Sequence, residues 1–287
     1  MTAAILPVRR NLQFHVPQNR VSNWNAHGSH WTHFLNTLSI FFPAGERFFI
    51  QSIRNYRDQI SDADLKKAVA AFIGQEAFHT REHEEYNAAM AAAKLNTEKM
   101  EKTVEELLAY LQRVLPKPAQ LAATTALEHL TAMMAELVLV DGAFIPENSE
   151  AHYQALWQWH AMEETEHKGV AYDVYEKIMG KGPGAYALRT GAFVVANLIF
   201  WVLVSRFYWK VVKADGKHRD LKGWSKALGL VFGRRGMVSR MAGEWFDYFR
   251  PSFHPWDKNN SHHLQRAEQL MKEVEGYAQE LGLVVAA

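Results

Sequence analysis

The chain has 287 residues and no cysteine, which excludes disulfide bonds, thiolate metal sites and a cysteine nucleophile. Its 32 lysines and arginines balance 31 aspartates and glutamates, so the overall charge gives no reason to expect binding to nucleic acid. No apolar segment follows Arg9 and Arg10 near the N-terminus. We therefore expect no secretory signal and a cytoplasmic location.

The N-terminal part of the chain is predicted to be an irregular arm followed by a helix. Residues 1–29 contain prolines and few periodic apolar positions. From about His30 the apolar residues recur with helical spacing. Pro43 and Gly45 are expected to kink or restart this helix just before Glu46.

Four further helices are predicted before residue 185. Ser61 and Asp64 have the form of a capping box, with Ser61 as the N-cap of the next helix. Prolines and a glycine-rich segment separate the later apolar patterns. The predicted helices cover about 62–94, 97–115, 118–143 and 149–179.

The last third of the chain, residues 185–287, has a different composition. Its apolar run at 191–204 is about fourteen residues long, shorter than the roughly 20 that a membrane-spanning helix needs. Between Arg206 and Arg240 there are ten lysines or arginines and two aspartates. This pattern is typical either of an element that lies on a membrane surface or of a buried helix beside a solvated basic face. A final helix is predicted at about 259–282.

No segment shows the alternation of a β-strand, so the predicted fold is all-α. We expect residues 30–184 to form a four-helix bundle and residues 185–287 to form a helical extension packed on it.

Two short strings of the same form suggest a metal site. Glu76 precedes His79 by three residues, and Glu164 precedes His167 by three residues. On an α-helix this spacing places a carboxylate and an imidazole on one face, one turn apart. Two such helices, each joined by a helix with a single inward glutamate, can hold two metal ions. Glu46 and Glu128 are the candidates for the single glutamates.

The intervals between the four glutamates fit such a bundle. They are 30, 52 and 36 residues, which allow a helical hairpin, a crossover helix and a second hairpin. Glu128 lies in a strongly apolar pattern, where a metal partner would explain a buried carboxylate. Other nearby acids are expected to face solvent or to support the ligands: Glu82, Glu84, Glu85, Glu163 and Glu166.

Two further histidines share a face with these strings. His160 lies four residues before Glu164 and seven before His167, so it is a candidate third imidazole ligand. His83 lies four residues after His79 and is a further candidate. The spacing alone leaves open whether either histidine binds metal directly or holds a ligand by a hydrogen bond.

Three resemblances follow from these residues. The set of glutamates and histidines resembles the ferritin-like di-iron carboxylate superfamily over roughly residues 30–180. The strings at 45–49, 75–79 and 248–255 resemble a bacterial family labelled "predicted metal-dependent hydrolase". The string from His160 to His167 is locally similar to the arylamine N-oxygenases, which implies oxygen-activating chemistry.

The sequence therefore suggests a non-haem di-iron enzyme that uses O₂ as co-substrate to oxidise or oxygenate a largely apolar substrate, with lipid or acyl compounds as one class. The expected cofactor is two iron ions, with manganese or a mixed iron–manganese pair as alternatives, and an external electron donor is needed. A di-metal hydrolase with a bridging hydroxide and a non-catalytic metal-binding protein remain alternatives. Contact with the inner face of a membrane through residues 191–240 and a homodimer are further expectations.

Overall fold

The computed structural model describes residues 6–139 and 142–257, together with the single positions 272, 276 and 279. This part of the chain contains α-helices and short 3₁₀ turns and no β-strand, so the predicted all-α fold class is confirmed. The α-helices are α1 (Ser29–Ser39), α2 (Phe42–Arg54), α3 (Ala63–Ala92), α4 (Glu98–Val114), α5 (Lys117–Leu139), α6 (Ala151–His167), α7 (Val170–Met179), α8 (Pro183–Ala214), α9 (Leu221–Phe232) and α10 (Met237–Asp247).

The bundle consists of two helical hairpins. Helix α2 packs along α3, and α5 packs along α6, while α2 also contacts α5 and α3 also contacts α6. Helix α4 connects the two hairpins, as the sequence intervals predicted. The chain restarts as α2 at Phe42, with Pro43 in the first turn, where its missing N–H costs no hydrogen bond. The prediction of a restart before Glu46 is therefore confirmed.

The start of α3 differs from the prediction by one residue. Asp62, rather than Ser61, is the N-cap, and its carboxylate accepts hydrogen bonds from the backbone N–H groups of Asp64 and Leu65. A cap side chain has to stand directly before the first helical residue to reach these amides. Asp62 holds that position, because the helix begins at Ala63.

The single helix predicted over 149–179 is wrong, because the structure divides it into α6 and α7 at Lys168 and Gly169. The indole of Trp256 occupies the space beside Gly169, where a built Cβ atom would lie only 2.3 Å from its Nε1 atom. The Lys168 ammonium lies 4.5 Å from the centre of the same indole. The break therefore coincides with a contact made by a residue far along the chain.

The apolar segment of the last third is longer than predicted. Helix α8 has 32 residues and packs against α1 and α5. By length and composition alone it could cross a membrane, and only 22% of its most apolar stretch is buried. The apolar run at 191–204 covers only part of the helix, which continues on both sides of it. The helix predicted at 259–282 lies outside the described residues.

The main core joins all parts of the described chain. Phe14 from the N-terminal arm packs on Trp159 of α6, and Phe193 of α8 packs on Tyr248 beside α10. All four side chains are almost fully buried. The arm and the C-terminal helices thus cover the bundle and keep water from its interior.

Candidate metal centre

The structure brings the seven ligands predicted from the sequence into the middle of the bundle, and all seven are buried. They come from α2, α3, α5 and α6. Three overlapping groups have donor atoms within 4.8 Å of one another. The groups are Glu46, His79 and His160; Glu76, Glu128 and His167; and Glu76, His79 and Glu164.

The overlap of these groups suits two metal ions. Glu76 belongs to two of them, so its two oxygens can serve both ions, and Glu164 approaches histidines of both remaining groups. The four glutamates, Glu46, Glu76, Glu128 and Glu164, carry four negative charges when ionised, and two divalent cations balance this charge. Imidazole and carboxylate donors suit iron and manganese, among other ions.

His167 presents an unprotonated nitrogen to the carboxylates. The side-chain amide of Gln75 donates to the Val8 carbonyl and to Glu166, so its oxygen accepts a hydrogen bond from Nδ1–H of His167 at 3.0 Å. Nε2 of His167 then carries a lone pair. This atom lies 3.1 Å from Glu76, and Glu128 and Glu164 each approach it to 3.5 Å.

His79 is oriented in the same way by a different partner. Its Nε2–H donates to the carboxylate of Glu163 at 3.1 Å, and its Nδ1 atom lies 3.7 Å from Glu164. A carboxylate behind a metal-binding imidazole fixes the ring and increases its basicity. Arg10 contacts the second oxygen of Glu163 and forms two hydrogen bonds with Glu166.

A relay of hydrogen bonds orients His160. Ser39 donates to the amide oxygen of Asn87 and therefore accepts from Nδ1–H of His83, at 2.8 Å in each case. Nε2 of His83 then accepts from Nδ1–H of His160 at 2.7 Å. The lone pair on Nε2 of His160 faces Glu164 at 3.0 Å. His83 thus positions His160 and lies outside the candidate metal groups.

These contacts leave buried polar atoms without hydrogen-bond partners in the described chain. Both oxygens of Glu76 and both of Glu128 are in this state, as are Nδ1 of His79 and Nε2 of His167. Leaving a buried polar atom unpaired is costly. Because these atoms surround one space and include lone pairs that face carboxylates, bound cations fit the site.

Burial and mutual repulsion control the charges in the absence of metal. Burial first, and the neighbouring carboxylates second, raise the pKa values of Glu46, Glu76 and Glu128 well above their ordinary value. Burial lowers the pKa of His79 well below its ordinary value, with His160 adding to this effect. The His79 imidazole is therefore neutral, as metal binding requires.

Some supporting residues had no clear signal in the sequence. Gln75 is adjacent to Glu76 but belongs to no ligand pattern, and Arg10 lies in the arm more than 150 residues from Glu166. For the other nearby acids, the sequence left open whether they face solvent or support the ligands. Glu84 and Glu85 are exposed, whereas Glu82, Glu163 and Glu166 are buried.

An apolar cavity of about 340 Å³ lies beside the metal groups, between α2, α4, α5 and α8. This volume is within the usual range for small-molecule sites. Glu46 and Thr131 are the only residues with polar side chains among the described residues that line it. Thr131 and Phe42 also line a smaller cavity of about 40 Å³ that reaches His160 and Glu164.

A family model described as "Predicted metal-dependent hydrolase" matches residues 8–259. The chain belongs to this family. The description indicates a metal-dependent enzyme, in agreement with the buried groups of glutamate and histidine. No curated protein and no solved structure matches the chain.

Proposed function

We propose that this protein is a di-iron enzyme that uses O₂ to oxidise an apolar substrate held in the large cavity. The observation that carries the proposal is the position of Glu46. Its side chain belongs to a candidate metal group and also forms part of the cavity wall. A substrate in the cavity would therefore lie next to the metal centre.

The lining of the cavity favours oxidation over hydrolysis. An ester, amide or phosphate needs polar groups that recognise it and stabilise the charge that develops during hydrolysis. Apart from Glu46 and Thr131, the described lining consists of aliphatic, aromatic and glycine residues, including Phe48, Phe49 and Leu127. Such a lining fits a hydrocarbon chain, for which oxidation of a C–H bond is the suitable reaction.

The proposed overall reaction converts C–H to C–OH. It consumes O₂, two protons and two electrons from an external donor, and it releases one water molecule. Bound iron would supply the reductive activation of O₂, which no side chain of this chain can provide. The chain's own residues hold the ligands, orient the imidazoles and exclude water from the cavity.

Hydrolysis is the second candidate, and the family description favours it. The same glutamates and histidines could hold two ions that polarise a carbonyl or phosphoryl oxygen. The substrate of such a reaction would need a polar group close to Glu46 and a long apolar part in the cavity.

Isotope labelling separates the two candidates. The protein is loaded with Fe(II) without oxygen, supplied with a reductant and a panel of long-chain hydrocarbons, fatty acids and esters, and exposed to ¹⁸O₂. Oxygenation predicts about two iron ions per chain and ¹⁸O in an alcohol product. Ester cleavage that takes its oxygen from H₂¹⁸O, with no label from ¹⁸O₂, would overturn the proposal.

A pair of variants links the activity to the site. Glu128→Ala removes a buried ligand, whereas Glu84→Ala removes an exposed carboxylate of α3 that pairs with Arg47. We expect Glu128→Ala to lose metal and activity, and Glu84→Ala to keep both. Equal activity in the two variants would contradict the proposed centre.

A further inference from the structure

The outer face of α8 exposes a row of large apolar side chains. Val194, Val195, Leu198 and Val202 are 46%, 56%, 65% and 58% exposed. Their spacing places them on one side of the helix. Soluble proteins seldom leave such a continuous apolar patch uncovered, and patches of this kind mark sites of interaction.

Basic side chains follow this row at the C-terminal end of the same helix. Arg206, Lys210 and Lys213 are exposed, and four more basic residues, Lys217, Arg219, Lys222 and Lys226, are exposed in the next segment. The two acids of this region have other roles. Asp215 binds the buried His33 at 3.0 Å, and Asp220 caps α9 by accepting from the backbone of Gly223.

The exposed row borders the cavity through Val195. Val195 and Ile199 line the cavity and are 56% and 37% exposed, so this side of the cavity faces outward. Leucines of α4, among them Leu107 and Leu111, line the cavity as well. An alkyl chain that approaches α8 from outside would meet apolar surface continuously down to Glu46.

We propose that the outer face of α8 docks on an anionic lipid bilayer and that an alkyl chain enters the cavity from the lipid. The docking rests on the apolar row and the basic residues, and only the fate of the alkyl chain rests on the proposed function. Apolar side chains insert among the acyl chains while lysines and arginines contact the anionic headgroups, as in helices that lie in the membrane interface.

The charge pattern favours a bilayer over a second copy of this chain. A symmetric dimer through α8 would bring like basic clusters close together or leave them unmatched. The inner side of α8 packs on α1 and α5 and carries the buried Arg189 and Asn197. Within the described part of the chain, the helix therefore lies on the surface of the bundle with its outer side exposed.

The absence of cysteine permits a direct test. Leu198→Cys and Leu6→Cys each provide a single thiol for an environment-sensitive fluorophore, and both positions are exposed in the described structure. Leu6 lies in the N-terminal arm and serves as the control. With vesicles of phosphatidylcholine and phosphatidylglycerol, the label at 198 should shift to shorter wavelength, and the label at 6 should not.

Vesicle flotation measures the contribution of each part of the surface. The double variant Leu198→Glu/Val202→Glu should reduce the partition coefficient of the metal-free protein about tenfold or more, because two inserted apolar groups are lost. Lys210→Ala/Lys213→Ala should weaken binding to anionic vesicles and leave binding to neutral ones unchanged. Thermal unfolding checks that each variant is folded.

Two results would overturn the docking proposal. One is wild-type protein that fails to float with anionic vesicles at low salt. The other is a dimer in light scattering that Leu198→Glu/Val202→Glu converts to a monomer, without vesicle binding by either form. Because these assays need no metal, the oxidation proposal is tested separately by ¹⁸O₂ labelling.

Discussion

Each imidazole of the candidate metal centre has one nitrogen held by a hydrogen bond and the other directed at carboxylate oxygens. The holding group is an amide for His167, a carboxylate for His79 and a second imidazole for His160. Three different chemical groups thus produce the same result, which is a lone pair that faces the centre. This agreement among independent contacts is the strongest argument for bound cations.

The contact between Gln75 and His167 leads to the first prediction. In Gln75→Leu the acceptor for Nδ1–H of His167 is lost, so the imidazole can rotate or exchange its proton between nitrogens. We expect metal affinity to fall by about 10- to 100-fold. Titration with Mn(II), followed by electron paramagnetic resonance, measures this affinity without oxygen chemistry.

Gln51→Leu is the matched control, because Gln51 is an exposed glutamine of α2. Its affinity for Mn(II) should equal that of the unchanged protein. If Gln75→Leu also binds Mn(II) with unchanged affinity, then the amide does not set the state of His167.

At the scale of the helices, the break between α6 and α7 coincides with a tertiary contact. Both Lys168 and Gly169 keep right-handed helical backbone angles, so the local sequence does not force the chain out of a helix. A side chain at 169 would instead collide with Trp256. Glycine is required here by the close approach of the indole and not by its conformational freedom.

Gly169→Ala is therefore predicted to have opposite effects in two backgrounds. With Trp256 present, the added methyl group should destabilise the protein by about 1–3 kcal/mol through overpacking. In a Trp256→Ala background the same change should stabilise it by up to about 1 kcal/mol, because alanine favours helix more than glycine does. Urea unfolding of the four proteins measures both effects, and a destabilisation of equal size in both backgrounds would contradict the role of Trp256.

The difference between local spacing and long-range contacts explains which features the sequence could predict. Glu76, His79, Glu164 and His167 lie three residues apart within two helices, so local spacing shows which side chains share a face. Glu128 can be predicted as a candidate ligand because its neighbours in the sequence are apolar. The contacts of Arg10 and Trp256 join residues that are distant in the sequence, so the local periodicity of the sequence does not indicate them. For this reason the helices and candidate ligands were predictable, whereas the support behind the ligands and the break at Gly169 were not.

At the scale of the whole molecule, the buried glutamates of the candidate metal centre cannot all stay ionised without bound cations. Burial and mutual repulsion raise the pKa values of Glu46, Glu76 and Glu128 above the ordinary value of 4.5, so the folded metal-free protein binds protons more tightly there than the unfolded chain. The stability that these protons provide is complete below about pH 4.5 and is lost as the pH rises towards the folded pKa values. The lowered pKa values of His79 and His83 have the opposite effect, but only below their ordinary value of 6.5.

Above pH 6.5 the three carboxylates therefore determine how the stability changes with pH. The free energy of unfolding of the metal-free protein should decrease as the pH rises to 8. Bound Mn(II) should remove most of this decrease, because the cations replace the protons on Glu46, Glu76 and Glu128. It should also stabilise the protein by about 2.7 kcal/mol at a free concentration one hundred times its Kd.

Urea unfolding at several pH values, with and without Mn(II), tests both statements. In the metal-free state Glu128→Gln should show a smaller decrease than the unchanged protein, because one titrating carboxylate is gone, and Glu84→Gln at the exposed surface should behave like the unchanged protein. A decrease of the same size with and without Mn(II) would mean that the cations do not bind at these carboxylates, and the assignment of the centre would fail with it.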